Sequence, residues 1–257
     1  MANSQVLRPY KTLIITFAIG VSLLLLWQLF SLDHKTRFLF GSPLLTVRSI
    51  YMHSVTGELP SAFLITGLEV ALGFAVGSLL GSALGFLLWI SSGASRIARP
   101  YLSFLDAVPV FVFAPLIIIW FGVGLPMKIA LVVIGTALVS LAYSYEGSIS
   151  LDKDEIQMMR VYGATRLQTL TKLIIPSSIS WLVASLRMNV GVAITGAVIG
   201  EYISSNQGLG HFMFRAGSLY DISSIFAGSV YLLCLSLVMR KTVSWLEERK
   251  RYFLDLF

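Results

Sequence analysis

Four polar residues sit in or beside stretches otherwise fit for lipid: Asp106, Arg187, Asn189 and Glu201, with Pro109 three positions after the first. A charge in the bilayer costs about 3 kcal/mol or more on insertion scales, so such groups ordinarily face a bundle interior or a water-filled cavity. These five residues are therefore the candidate lining of a solute pathway, and acids such as Asp106 and Glu201 could serve as proton sites in an ion-driven carrier. Each charged residue also has a plainer reading. Arg187 is close enough to Pro176 to snorkel to the membrane edge, Glu201 fits a wet interfacial carboxylate, and Asp106 fits a hydrogen bond near the inner edge. Other chemistry is scarce. His34, His53 and His211 are scattered without metal-ligand spacing, so no metal site is expected, and the single Cys234 can build neither a disulfide framework nor a metal centre. No Gly-x-x-x-x-Gly-Lys-Ser/Thr run and no serine nucleophile elbow occurs. If ATP drives this protein, another polypeptide must hydrolyse it.

The elements that position these residues are membrane spans. Of 257 residues, 56% are hydrophobic and 12% charged, with a mean hydropathy of +0.81, and soluble domains carry roughly twice that charge. The fold class expected is an all-α polytopic membrane protein with six spans, near 12–31, 62–90, 101–121, 126–147, 178–200 and 222–239. Arg8 and Lys11 before an apolar run resemble a signal peptide, but the run is too long for a signal core and is read as a retained span. With six spans both termini share one side. Thirteen of the nineteen lysines and arginines then fall inside, five outside and Arg187 within a span, so both termini and the 151–178 loop are expected in the cytoplasm. The +6 charge thus reports orientation rather than nucleic-acid binding.

Three further features follow from pattern. Pro43 starts an amphipathic segment (Leu44, Val47, Ile50, Tyr51) expected on the outer membrane surface. Gly73, Gly77, Gly81 and Gly85 make a smooth ridge on the second span, read first as packing within the chain and second as a subunit interface. The basic, aromatic tail beyond Arg240 is expected along the inner leaflet. The chain accordingly divides into 1–61, an N-terminal span with its outer segment; 62–240, the core; and 241–257, the tail.

The loop 151–178 is the longest polar interval. Asp152 with Glu155, and Thr165 with Gln168, are capping-box starts, and Gly163 between them suits a helix C-terminus. Ile156, Met159 and Tyr162 would share one side of the first helix. Leu167, Leu170 and Ile174 would share one side of the second, which is expected to end at Pro176. Gly163-Ala164-Thr165 followed by Leu173-x-Ile175-Pro176 resembles the conserved cytoplasmic loop of binding-protein-dependent ABC importer permeases. Gln157-Met158-Met159 replaces that family's Glu-Ala-Ala. Thr66-Gly67-Leu68-Glu69 then Gly73-Phe74 looks like the opening of the permease core, although the family more often has a basic residue in place of Glu69. Asp106-x-x-Pro109, Ala114-Pro115-Leu116 and Trp120-Phe121-Gly122-Val123-Gly124 look like the third span of the subgroup importing nitrate, taurine and sulfonates. Glu201 with Gly208-Leu209-Gly210 resembles its outer gate region.

The resemblance implies a permease subunit, not an enzyme, in a bacterial inner membrane and working with a second permease copy as a homodimer. Its partners are a cytoplasmic ATPase dimer that carries ATP and Mg, an external substrate-binding protein and the lipid bilayer. Gly163, Ala164, Thr165, Arg166 and Pro176 become the candidate ATPase-coupling residues. The rival from another class is the ion-driven secondary transporter.

Overall fold

The computed structural model describes residues 7–107, 109–204 and 206–254, and every regular element among them is helical. In order they are α1 (Leu7–Phe30), α2 (His34–Phe40), α3 (Pro43–Val55), α4 (Glu58–Ile90) and α5 (Ser92–Ala107). A 3-10 turn (Val110–Phe113) leads into α6 (Ala114–Phe121), followed by α7 (Leu125–Ile149), α8 (Lys153–Val161) and α9 (Arg166–Thr169). A π turn (Leu170–Ile174) precedes α10 (Ile175–Ser177), α11 (Ile179–Ser204), α12 (Leu209–Ser218) and α13 (Ile222–Leu254). Lys11–Phe30, Glu58–Ile90, Leu125–Ile149, Ile179–Ile203 and Ile222–Glu248 are each long and apolar enough to cross a membrane.

The expected third span at 101–121 is not one helix. Its apolar part is the shorter Phe111–Phe121 segment, because Pro109 has no N–H to continue a ladder and opens the 3-10 turn instead. Pro115 is tolerated in the first turn of α6, where an N–H would lack a partner anyway. With no glycine or proline after Gly228, α13 continues unbroken through residues 241–254.

The chain forms two compact units. The first comprises residues 1–60 and 212–230. The 20-residue apolar segment of α1 is exposed along its length, as a lipid-facing helix requires. Its C-terminal end is tied down: the Trp27 indole donates to the Phe40 carbonyl at 3.1 Å, and the Gln28 side chain accepts the Leu44 N–H. Ser42 caps α3 and Pro43 occupies its first turn, leaving Leu44, Val47 and Tyr51 of the expected apolar face exposed and Ile50 half-buried. Glu58 receives both Arg215 and, at 2.7 Å, the His53 ring.

The second unit comprises residues 61–211 and 231–257. Its core gathers Val70, Val132, Ala193, Ala197 and Leu235, contributed by α4, α7, α11 and α13. The glycine ridge lies against α7. A Cβ on Gly77 would sit 2.0 Å from the Thr136 hydroxyl, one on Gly81 2.1 Å from the Ala137 carbonyl, and one on Gly85 2.5 Å from the Leu141 carbonyl. The ridge therefore serves packing within the chain, the first of its two readings, since only hydrogen lets the two backbones come this close.

Candidate functional site

The loop between α7 and α11 builds the knuckle expected of it. The Asp152 carboxylate accepts the Asp154 N–H at 3.1 Å and starts α8, taking that amide rather than the Glu155 amide a full capping box would use. Gly163, at φ +76°, ends the helix: its N–H donates to Arg160 O and the Ala164 N–H to Met159 O, at 2.9 and 3.0 Å. This is the left-handed closure that glycine enters without strain. Thr165 then forms a reciprocal capping box with Gln168, at 3.3 and 2.8 Å.

Pro176 behaves differently from expectation, since the helix does not stop there. The proline cannot donate to the preceding turn and its ring crowds the carbonyl four residues back, so that turn widens. The Ile175 N–H bonds the Leu170 carbonyl five residues away, and helical structure runs on through α10 toward α11. The faces also differ. Leu170 and Ile174 are buried with Phe86, and Trp89, Ile90 and Ile156 pack against them. Tyr162 and Leu167, expected to share a side with these residues, are exposed, together with Met158 and Val161. Tyr162 and Val161 are each 80% exposed, at the very tip. Arg166 donates to the Ile90 carbonyl at 2.7 Å and ties the knuckle to the last turn of α4. An apolar, projecting tip thus stands on a base fixed by packing and capping.

The intramembrane candidates are spread over several elements. Asp106 belongs to α5, but its side chain lies outside the described residues. Pro109 is exposed beside its 3-10 turn. Arg187 pairs with Glu247 of α13 on an exposed surface. Asn189 is fully buried, its amide within reach of Ser78 Oγ (2.9 Å), Ser140 Oγ (2.7 Å) and Thr136 O (3.2 Å), and so links α11 to α4 and α7.

Glu201 is not a wet carboxylate. It is fully buried, accepting the Thr66 hydroxyl at 2.7 Å and the Gly210 N–H at 2.6 Å, while Thr66 in turn accepts the Leu209 N–H at 2.8 Å. The Gly-Leu-Gly turn is what lets the carboxylate in, since a Cβ on Gly208 would lie 1.9 Å from Glu201 Oε1. Gly208 is also at φ +110°, a conformation costing other residues about 1–3 kcal/mol. Gly208→Ala should therefore release the turn; a melting curve of the purified variant identical to wild type would refute this role.

Beside Glu201 lies a pair that the sequence reading passed over. Glu69, fully buried, pairs with Lys128 near the start of α7, itself 5% exposed. The available signal was compensation: Glu69 interrupts an apolar run, and Lys128 opens another. With Ile65, Leu68, Leu72, Gly124, Asn206 and Gln207 they surround a cavity of about 740 Å³, of a size that takes small solutes.

Comparison with known proteins agrees with these features. The sequence profile of the binding-protein-dependent transport system inner membrane component matches residues 73–252. The chain belongs to that family. It is a membrane-spanning permease component of an ABC importer rather than an enzyme, and the ion-driven carrier reading falls with that finding. A probable ABC transporter permease of Haemophilus influenzae is 31% identical over 244 residues, covering 95% of this chain and 97% of the relative. The formylaminopyrimidine transport permease of Halalkalibacterium halodurans is 27% identical, covering 82% and 86%. Among solved structures, a chain of the MetNI methionine ABC transporter shares the fold, with a TM-score of 0.62 at 15% identity, covering 74% of this permease and 97% of that chain.

Proposed function

We propose that this permease moves a small solute inward across a bacterial inner membrane as one half of a homodimer, powered by a cytoplasmic ATPase dimer that binds ATP and Mg. An external binding protein delivers the solute. Both termini and the 151–178 loop face the cytoplasm, in keeping with the basic-residue bias. The observation that carries this reading is the knuckle: Met158, Val161, Tyr162 and Leu167 are exposed on a support pinned to α4. An apolar tip on rigid footing can be gripped by a partner and pass its movement to the span, because the Arg166–Ile90 bond and the Phe86–Leu170–Ile174 cluster leave little slack. Gly163, Ala164, Thr165 and Arg166 shape that contact, and Pro176 shapes the turn behind it. The solute is of the sulfonate, nitrate, taurine or vitamin-precursor type. The relative that carries formylaminopyrimidine in its name supports the last of these.

Gly163→Pro tests the coupling role. Proline cannot reach φ +76° and removes the N–H that closes α8. The variant should insert normally yet fail to retain an ATPase in mild detergent or to show solute-stimulated ATP hydrolysis. Wild-type uptake by this variant would refute the assignment.

A further inference from the structure

A cavity of about 200 Å³ lies behind the knuckle, lined by Trp89, Ile156, Arg160, Ala164, Arg166 and Thr169. Both charged residues lining it are arginines, and no carboxylate does. Arg166 directs one N–H to Ile90 O and keeps the rest of its guanidinium fork, while Arg160 has no ion pair among the described residues. Two cations lining one small cavity repel one another unless an anion sits between them, and a guanidinium matches phosphate oxygens in pairs.

The location narrows the source of that anion. Ile90 is the last residue of the 33-residue apolar α4, and Trp89 precedes it. An indole at the end of a span marks the headgroup level of a bilayer. Next to the arginines, Trp89 and Ile156 pack on the apolar cluster of Phe86, Leu170 and Ile174. Cationic and apolar surfaces therefore meet where a lipid's phosphate and acyl chains meet. We propose that this cavity binds the phosphodiester headgroup of an anionic phospholipid, joining the end of α4 to the loop through a membrane lipid. The inference rests on the orientation proposed above only for which leaflet supplies the lipid.

The test uses the full chain, purified in mild detergent, delipidated and titrated with phosphatidylglycerol or phosphatidylcholine under native mass spectrometry. Wild type should prefer phosphatidylglycerol. Arg160→Gln should weaken that binding about fivefold, one basic residue's share of attraction to an anionic headgroup, and leave phosphatidylcholine unchanged. Arg160→Lys should keep most of the preference. Glycerol 3-phosphate and inorganic phosphate at millimolar concentration should not displace the lipid; displacement would make this a site for a soluble phosphate compound and overturn the lipid proposal. Equal binding of the two lipids by wild type would overturn it as well. So would Arg160→Gln with undiminished phosphatidylglycerol binding but a lost ATPase, which would assign the arginines to a carboxylate of that partner. Because lipid binding is read on the permease alone, failure of the importer reading leaves this measurement intact.

Discussion

Lys128→Met should destabilise the permease by about 3–5 kcal/mol, the usual consequence of removing one partner from a buried ion pair. The magnitude follows from burial, for Glu69 is fully inaccessible and Lys128 is 5% exposed. Once the ammonium is gone, the Glu69 carboxylate has no cation to offset its desolvation, and Glu201 stands close beside it as a second acid. The double variant Glu69→Leu/Lys128→Met should recover much of the loss, because replacing both charges by apolar groups of similar volume is often close to neutral. Thermal melting of the four proteins in detergent, followed by fluorescence-detected gel filtration, provides the double-mutant cycle. Equal melting temperatures for Lys128→Met and wild type would show that the pair is solvated, contrary to the geometry described. Uptake by the double variant separates stability from transport: a well-folded protein that no longer moves solute would place the charges on the solute's route through the 740 Å³ cavity.

The second large effect is expected at Gly81. A Cβ there meets the Ala137 carbonyl oxygen at 2.1 Å and the Ala137 Cα at 2.8 Å. Both are backbone atoms of α7, so no rotamer change can relieve the contact. Gly81→Leu must push α4 away from α7 along a ridge where the other three glycines depend on the same separation. The cost should be about 3 kcal/mol or more, at the upper end for overpacking, with inactive or aggregated protein on gel filtration. Gly20→Leu is the control, since nothing lies within 4 Å of a Cβ at that position. Similar yields and melting curves for the two variants would mean that the ridge does not hold these helices together.

The knuckle shows how far local chemistry reaches. Asp152, Gly163 and the Thr165–Gln168 capping box act on backbone groups within four residues, and the structure has all three turns at the residues expected. The loop limits were legible for a similar reason, since α7 ends at Ile149 and α11 starts at Ile179, where hydropathy changes. Pro176 lay beyond that reach. A missing N–H and a bulky ring predict a broken ladder, but whether the chain stops or widens into a π turn depends on what holds the flanking residues. Here Leu170 and Ile174 are anchored against Phe86, 84 residues before Leu170, and the helix bridges the defect.

The polar residues divide in the same way. Composition and the periodic glycines determined by themselves that this is a helical membrane protein with a close helix pair, and the distribution of lysine and arginine set the expectation of a cytoplasm-directed loop, because each is a transfer or contact preference that sums along the chain. Which charge meets which partner was decided by the tertiary structure alone. Glu201 and Thr66 are 135 residues apart, and Glu69 and Lys128 are 59 apart. A buried charge becomes tolerable only through a partner that folding brings to it, and no local pattern encodes that meeting.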